Sequence, residues 1–330
     1  MNNKTLLLIG GSGFIGRTLL HFILKKENKL GIGKILIISR GNFKFKIKNN
    51  FKKNFLIKFI YADIKNITTI PFADYVIYAA VSGDYKKNFS KYDRGVQNYF
   101  KLAKKYHSKS KILYISSGAV YGQQPKKIKK LSEEYLFSNK RINFKNKNKN
   151  FYSIIKTKNE KFFIKLSKLK IQVAIARCFA FVGQYLPLDK HFVVGNYIDN
   201  ILGRKKIVVK SNHEVIRSFM HEYDLSRWLL KIVQNAKIDC PVYNVGSDEK
   251  IQIRKLALYL SNKYKVGLKL KKINSNFEDR YLPSVLKAKK ILKLKLNYNN
   301  LNAINDVISR IKNNKKWFSR TGDSKINYLT

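Results

Sequence analysis

The run Thr5-Leu6-Leu7-Leu8-Ile9 passes directly into Gly10-Gly11-Ser12-Gly13-Phe14-Ile15-Gly16, and this junction restricts the fold more than any other stretch of the chain. A short apolar run without alternation reads as a strand buried on both faces of a parallel sheet. The glycines then permit a tight turn, a close backbone approach to a phosphate, and close packing of the following helix on the strand. Amides at the start of that helix face the phosphates, where the helix dipole favours negative charge. In this strand-turn-helix setting the segment predicts dinucleotide binding through Gly10, Gly13, Phe14, Ile15 and Gly16.

The same alternation recurs along the chain. A helix is expected over residues 15–26, strands over 35–38, 56–61 and 75–79, a helix over about 92–106 and a strand over 111–116. Residues 124–150, rich in Lys and Asn, read as an exposed loop with a short helix near 132–137. A helix over 152–169 and a strand over 171–177 follow; the pattern then loosens until a strand at 241–246, and the last third reads as helical and basic. Strands and helices in alternation with short connections predict an α/β chain built on a doubly wound parallel sheet. No internal repeat and no Gly/Ser linker interrupts it, so two packed parts are expected: 1–178 with a return segment near 220–246, and a smaller α/β part over 179–330.

The charge needs its own account. The 330 residues include 68 Lys+Arg against 20 Asp+Glu, a formal net charge of +48, yet 45% are hydrophobic and 13% aromatic, which argues against disorder. Such a surface suits a nucleic acid or an anionic membrane. However, the lysines are scattered and accompany abundant Asn, Ile, Phe and Tyr, so we ascribe most of the excess to composition. The scarcity of acids leaves room for some selection of a positive surface. No base-stacking aromatic motif is present, so nucleic acid is not an expected partner. No run of about 18 apolar residues predicts a membrane span, and no signal-type segment begins the chain. Cys178 and Cys240 form neither a disulfide framework nor a metal pattern, which fits a reducing cytoplasm and no bound metal.

The second strand ends Ile37-Ile38-Ser39-Arg40 with no carboxylate. An acid there would accept the ribose 2′-hydroxyl of NAD, whereas Ser39 and Arg40 suit the 2′-phosphate of NADP, so the reading leans to NADP over NAD. Tyr152 and Lys156 stand i, i+4 at the expected start of a helix and share a face. A nearby ammonium lowers the pKa of a phenol, so Tyr152 can exchange a proton with a sugar hydroxyl while a nicotinamide exchanges hydride. The fifth strand ends in Ser116-Ser117-Gly118-Ala119-Val120-Tyr121-Gly122, at the sheet edge where ligands of open α/β sheets bind.

Taken together these residues resemble the extended short-chain dehydrogenase/reductases, in particular the nucleotide-sugar NAD-dependent epimerase/dehydratase group. The resemblance runs nearly end to end: the glycine turn, Ala62-Asp63-Ile64, Tyr78-Ala79-Ala80, Ser117 to Gly122, Tyr152 and Lys156 with Glu160, Arg177 to Gly183, Arg217 with Tyr223-Asp224, Tyr243 to Gly246, and Arg280 before Lys287-Ala288. It implies a Rossmann-type fold with a C-terminal substrate-binding domain, and an enzyme of sugar biosynthesis for surface polysaccharides. It further implies that Asp63 and Ile64 contact the adenine, that Ala79 and Ala80 line the cofactor, and that Lys156 also holds the nicotinamide ribose. Ser117 would bond the reacting sugar oxygen, Tyr152 would be the acid/base, and Arg217 and Arg280 would hold the diphosphate of a nucleotide-sugar substrate. A homodimer through the helices near 92–106 and 152–169 is implied by the resemblance alone.

Three departures narrow the reaction. Dehydratases of the group carry an Asp-Glu pair directly after the catalytic hydroxyl, where this chain has Gly118 and Ala119. A 4,6-dehydration is therefore disfavoured, leaving a 4-epimerase or a 4-keto-6-deoxy-sugar reductase acting at a sugar carbon, C4. Two further family asparagines are Ala180 and Tyr92 here, which alters the expected substrate pose. The competing reading is a non-catalytic protein that binds RNA or an anionic membrane through its basic surface.

Overall fold

The computed structural model describes residues 4–25, 30–41, 45–47, 56–80, 89–138, 142–144, 146–188, 192–313 and 327–329. Its centre is a sheet of seven parallel strands: β1 Lys4–Ile9, β2 Ile32–Ser39, β3 Leu56–Tyr61, β4 Tyr75–Tyr78, β5 Lys111–Ser117, β6 Gln172–Cys178 and β7 Val242–Val245. In space the order is β7-β6-β5-β4-β1-β2-β3. The order reverses between β1 and β4, and the carboxyl ends of those strands open a crevice there.

Successive side chains point to opposite faces, so a strand buried on both sides feeds two cores. Leu6 and Leu8 join Leu19, Phe22, Leu225 and Trp228 on one face, with helices α1 (Phe14–Lys25) and α5 (Glu222–Gln234). Leu7 and Ile9 join Tyr99, Tyr114 and Phe163 on the other, with helices α2 (Phe89–Tyr106) and α3 (Lys147–Lys168). This explains why the strand sequences read as unbroken apolar runs. β3 is the exception: at the edge, with Leu56 and Tyr61 half exposed, it carries Lys58 among its apolar residues.

A further core gathers helices α4 (Val193–Leu202), α6 (Ile253–Tyr264) and α7 (Asn300–Asn313) around Val194, Ile198, Leu256 and Ile304. Beside it lies a small sheet in which Glu214–Arg217 runs between Ile251–Gln252 and Glu278–Arg280. The last third thus contains strands as well as the expected helices.

Two expected boundaries are corrected. α3 begins at Lys147 and not at Tyr152, because the Asn146 side chain caps it by accepting from the Lys149 amide at 3.1 Å. The short helix ahead of it spans Tyr135–Ser138, later than expected. Lys26, at the expected end of the first helix, the Tyr92 side chain and parts of the 124–150 segment lie outside the described residues. No described helix is long and apolar enough to cross a membrane. Both cysteines are free and buried, and the described residues contain no cluster of His, Cys, Asp or Glu fit for a metal ion.

Candidate active site

A cleft of about 740 Å³ opens at the carboxyl ends of the strands, and every site residue expected from the sequence lines it. Gly10, Gly13, Phe14, Ile15 and Gly16 form one end with Ser39, Arg40, Asp63, Ile64, Ala79 and Ala80; Ser117, Tyr152 and Lys156 stand in the middle, with Arg217 and Arg280 towards the far end.

The turn is built for close approach. Gly10 has φ +87° and a Cβ there would meet the Ala80 backbone at 2.6 Å, so the chain just after β4 packs directly on it. A Cβ on Gly16 would strike the Gly11 backbone at 2.4 Å, which fixes how near α1 comes to β1. Gly13 differs, since its Cβ would meet only the Gly10 carbonyl at 3.4 Å and nothing in the chain demands glycine there. It leaves a face of the cleft open beside the start of α1, which fits a cofactor pyrophosphate. Ser39 donates to the Ser12 hydroxyl at 2.7 Å, tying the end of β2 to the turn, and the exposed Arg40 stands beside it. Asp63 accepts from the Lys65 amide at 3.0 Å.

Lys156 is buried, donates to the Ile115 carbonyl at 2.8 Å and holds its Nζ 5.9 Å from the centre of the Tyr152 ring. Burial lowers its pKa to about 8, against the opposing pull of Cys178 and Glu160. Behind it, Glu160 of α3 pairs with Arg177 of β6 at 2.9 Å and accepts from Ser116 of β5 at 2.5 Å. This buried charge pair locks the helix that carries Tyr152 to two strands, and Arg177 also donates to Tyr121 at 3.0 Å. Ser117 caps the turn Gly118–Tyr121 by accepting from the Ala119 amide at 3.1 Å.

Residues 6–246 match the model of the NAD dependent epimerase/dehydratase family. The chain belongs to that family. Among curated proteins no sequence matches it. Solved structures that share the fold include a dTDP-glucose 4,6-dehydratase from Bacillus anthracis str. Ames in complex with NAD, at 18% identity and TM-score 0.74 over 96% of this chain and 99% of that one. A UDP-N-acetylglucosamine 4-epimerase from Methanobrevibacter ruminantium M1, in complex with UDP-N-acetylmuramic acid, shares 17% identity with TM-score 0.75 over 95% and 99%. The UDP-glucose 4-epimerase of Thermotoga maritima with UDP-glucose shares 16% with TM-score 0.72 over 94% and 99%.

Several residues of this epimerase/dehydratase cleft escape a reading of the sequence. The Tyr281 hydroxyl stands 3.4 Å from that of Ser117, its pKa pushed up to about 12 by burial, and its ring lies 4.6 Å from the ring of Phe179. Phe179 in turn covers Gly118, where a Cβ would meet the ring at 2.6 Å. Tyr281 follows Arg280 directly, and that adjacency was the one available signal. Asp279 and Lys149 also line the cleft.

Proposed function

We propose that this chain is an NAD(P)-dependent nucleotide-sugar oxidoreductase that transfers hydride at C4 of the sugar and acts as a 4-epimerase. The observation that carries the reading is the meeting of Ser117, Tyr152 and Lys156 in one cleft with the glycine turn and two arginines. Two solved structures of the same fold are 4-epimerases by name. Bound nicotinamide supplies the hydride acceptor and donor. The chain's own groups do the rest. Amides of the turn and the start of α1 hold the pyrophosphate. Tyr152 takes the proton of the sugar hydroxyl, the Lys156 ammonium stabilises the resulting phenolate, and the Ser117 hydroxyl bonds the same sugar oxygen. Arg217 and Arg280 bind the diphosphate with forked donors. Loss of water is disfavoured, because Phe179 fills the space over Gly118 and the carboxylates that line the cleft are Asp63 and Asp279 alone among the described residues.

A second reading, a 4-keto-6-deoxy-sugar reductase, is favoured by the end of β2. Ser39 and Arg40 with no carboxylate suit NADPH, which such an enzyme would use up at each turnover. The NAD-bound structures of the same fold favour NAD instead. One experiment separates the readings: candidate UDP- and dTDP-sugars are incubated with pure protein and NADPH or NAD. Epimer without net cofactor consumption supports the epimerase, stoichiometric NADPH consumption supports the reductase, and no conversion of any sugar rejects both. Titration with NADPH and NADH tests the cofactor preference, which a tenfold tighter NADH would reverse.

A further inference from the structure

Beside Arg217 the cleft already contains an anion of its own. Arg217 gives Nη1 to the carbonyls of Ile216 at 2.8 Å and Asp279 at 2.7 Å, and Nη2 to the Asp279 carboxylate at 2.6 Å. Both ends of its guanidinium fork are therefore in use. Lys149 holds Nζ 4.0 Å from the same carboxylate oxygen, and it stands in the first turn of α3, three residues before Tyr152. Arg280 pairs with Glu278 beside them. The Arg217 and Asp279 side chains are only 16% and 18% exposed, so water competes little for this contact. Burial favours the protonated acid, but Arg217 and Lys149 outweigh it and hold Asp279 below the ordinary carboxylate range, ionised at neutral pH. In a chain with 20 acidic residues against 68 basic ones, two acids thus sit on Arg217 and Arg280, two of the three described arginines that line the cleft.

We propose that the Asp279 carboxylate is a built-in substitute for the substrate diphosphate, which must displace it from Arg217, and that Lys149 is a third cation of the same anion site. This rests on the nucleotide-sugar reading and deepens it. Three of the five N–H donors of Arg217 are in use among the described residues, so a phosphate on its remaining Nη2 and Nε donors would stand beside the Asp279 carboxylate, and two anions held side by side in a half-buried site repel strongly. A ligand with a single anionic group exchanges one ion pair for another and gains little. A diphosphate can engage Arg217, Arg280 and Lys149 together, so the displaced contact acts as a filter for that linkage. Lys149 joins the filter to α3, because an anion that draws it in bears on the turn just ahead of Tyr152.

The test is calorimetric titration of the full chain, with saturating NAD in the cofactor site and UDP, dTDP and inorganic pyrophosphate as probes. Asp279→Asn keeps the size of the side chain and an oxygen for Arg217 while removing the competing charge. It should bind the nucleoside diphosphates about tenfold more tightly than the natural chain. Lys149→Gln, at an exposed position, should bind them about threefold more weakly. Asp279→Ala replaces the asparagine variant if circular dichroism shows that variant misfolded. Equal or weaker binding by the Asp279 variants overturns the displacement, and unchanged binding by Lys149→Gln removes that residue from the site. If the natural chain binds none of the three probes, the nucleotide-sugar reading itself fails, and the proposal with it.

Discussion

At the scale of single residues the proposed chemistry turns on a phenol and an ammonium held one turn apart. Tyr152→Phe keeps the ring and deletes the exchangeable proton, so kcat should fall by about a hundredfold or more in a steady-state assay. Near-normal turnover would show that another group moves the proton. Lys156 gives a prediction of opposite sign for activity and for stability. With its pKa near 8, the ammonium is present below that pH and lost above it, so kcat/KM should decline as pH rises through about 8. The unfolded chain, with an ordinary Lys near 10.5, binds more protons between those values, so folding stability should rise across the same window. Parallel pH series of kcat/KM and denaturant midpoint check both limbs, and a flat activity profile would remove Lys156 from the role.

At the scale of elements, α3 carries Lys149, Tyr152 and Lys156 and is held at both ends of its job. Asn146 fixes where it starts, and the Glu160–Arg177 pair fixes how it lies against β5 and β6. Asn146→Ala should cost about 1 kcal/mol in urea unfolding, with fraying of the first turn; an unchanged midpoint would show that the cap contributes nothing. The sequence conveyed the strands of the sheet well, because burial on both faces leaves short apolar runs such as Leu6 to Ile9, which their length and the glycines that follow mark as strand. It conveyed the start of α3 poorly. Asn146, Asn148 and Asn150 alternate with lysines, each Asn is a plausible cap, and only the formed hydrogen bond selects the first. The small sheet was illegible for another reason: its strands are two to four residues long, too short to show a period, and lie far apart in the chain. The site shows the same division. Motif residues could be picked out by spacing, whereas the contacts of Tyr281 with Ser117 and of Asp279 with Arg217 join partners distant in sequence, and adjacency to Arg280 is the one local sign of either.

At the scale of the whole molecule, most of the +48 charge is scattered along the chain and a small part of it reaches the cleft. Among the described residues six basic side chains line the cleft against two acidic ones, so diphosphates should be drawn towards it. kcat/KM for the sugar substrate should fall severalfold between about 20 and about 200 mM salt while kcat holds, and a salt-independent kcat/KM would return the charge wholly to composition. The acids that remain include several on which internal structure depends: buried Asp224 accepts from the amides of Asn297 and Tyr298, and buried Glu133 from that of Asn244. The strand order carries a last consequence, for synthesis. β6 is complete at Cys178, but its neighbour β7 is made only after the intervening 63 residues, 179–241, much of which go to the other core. On a ribosome adding roughly 5–20 residues per second, β6 is an open apolar edge on the nascent chain for on the order of ten seconds. A chain ended after Cys178 never closes that edge, and it should aggregate on expression where the full chain stays in solution; a monodisperse fragment in gel filtration would contradict this.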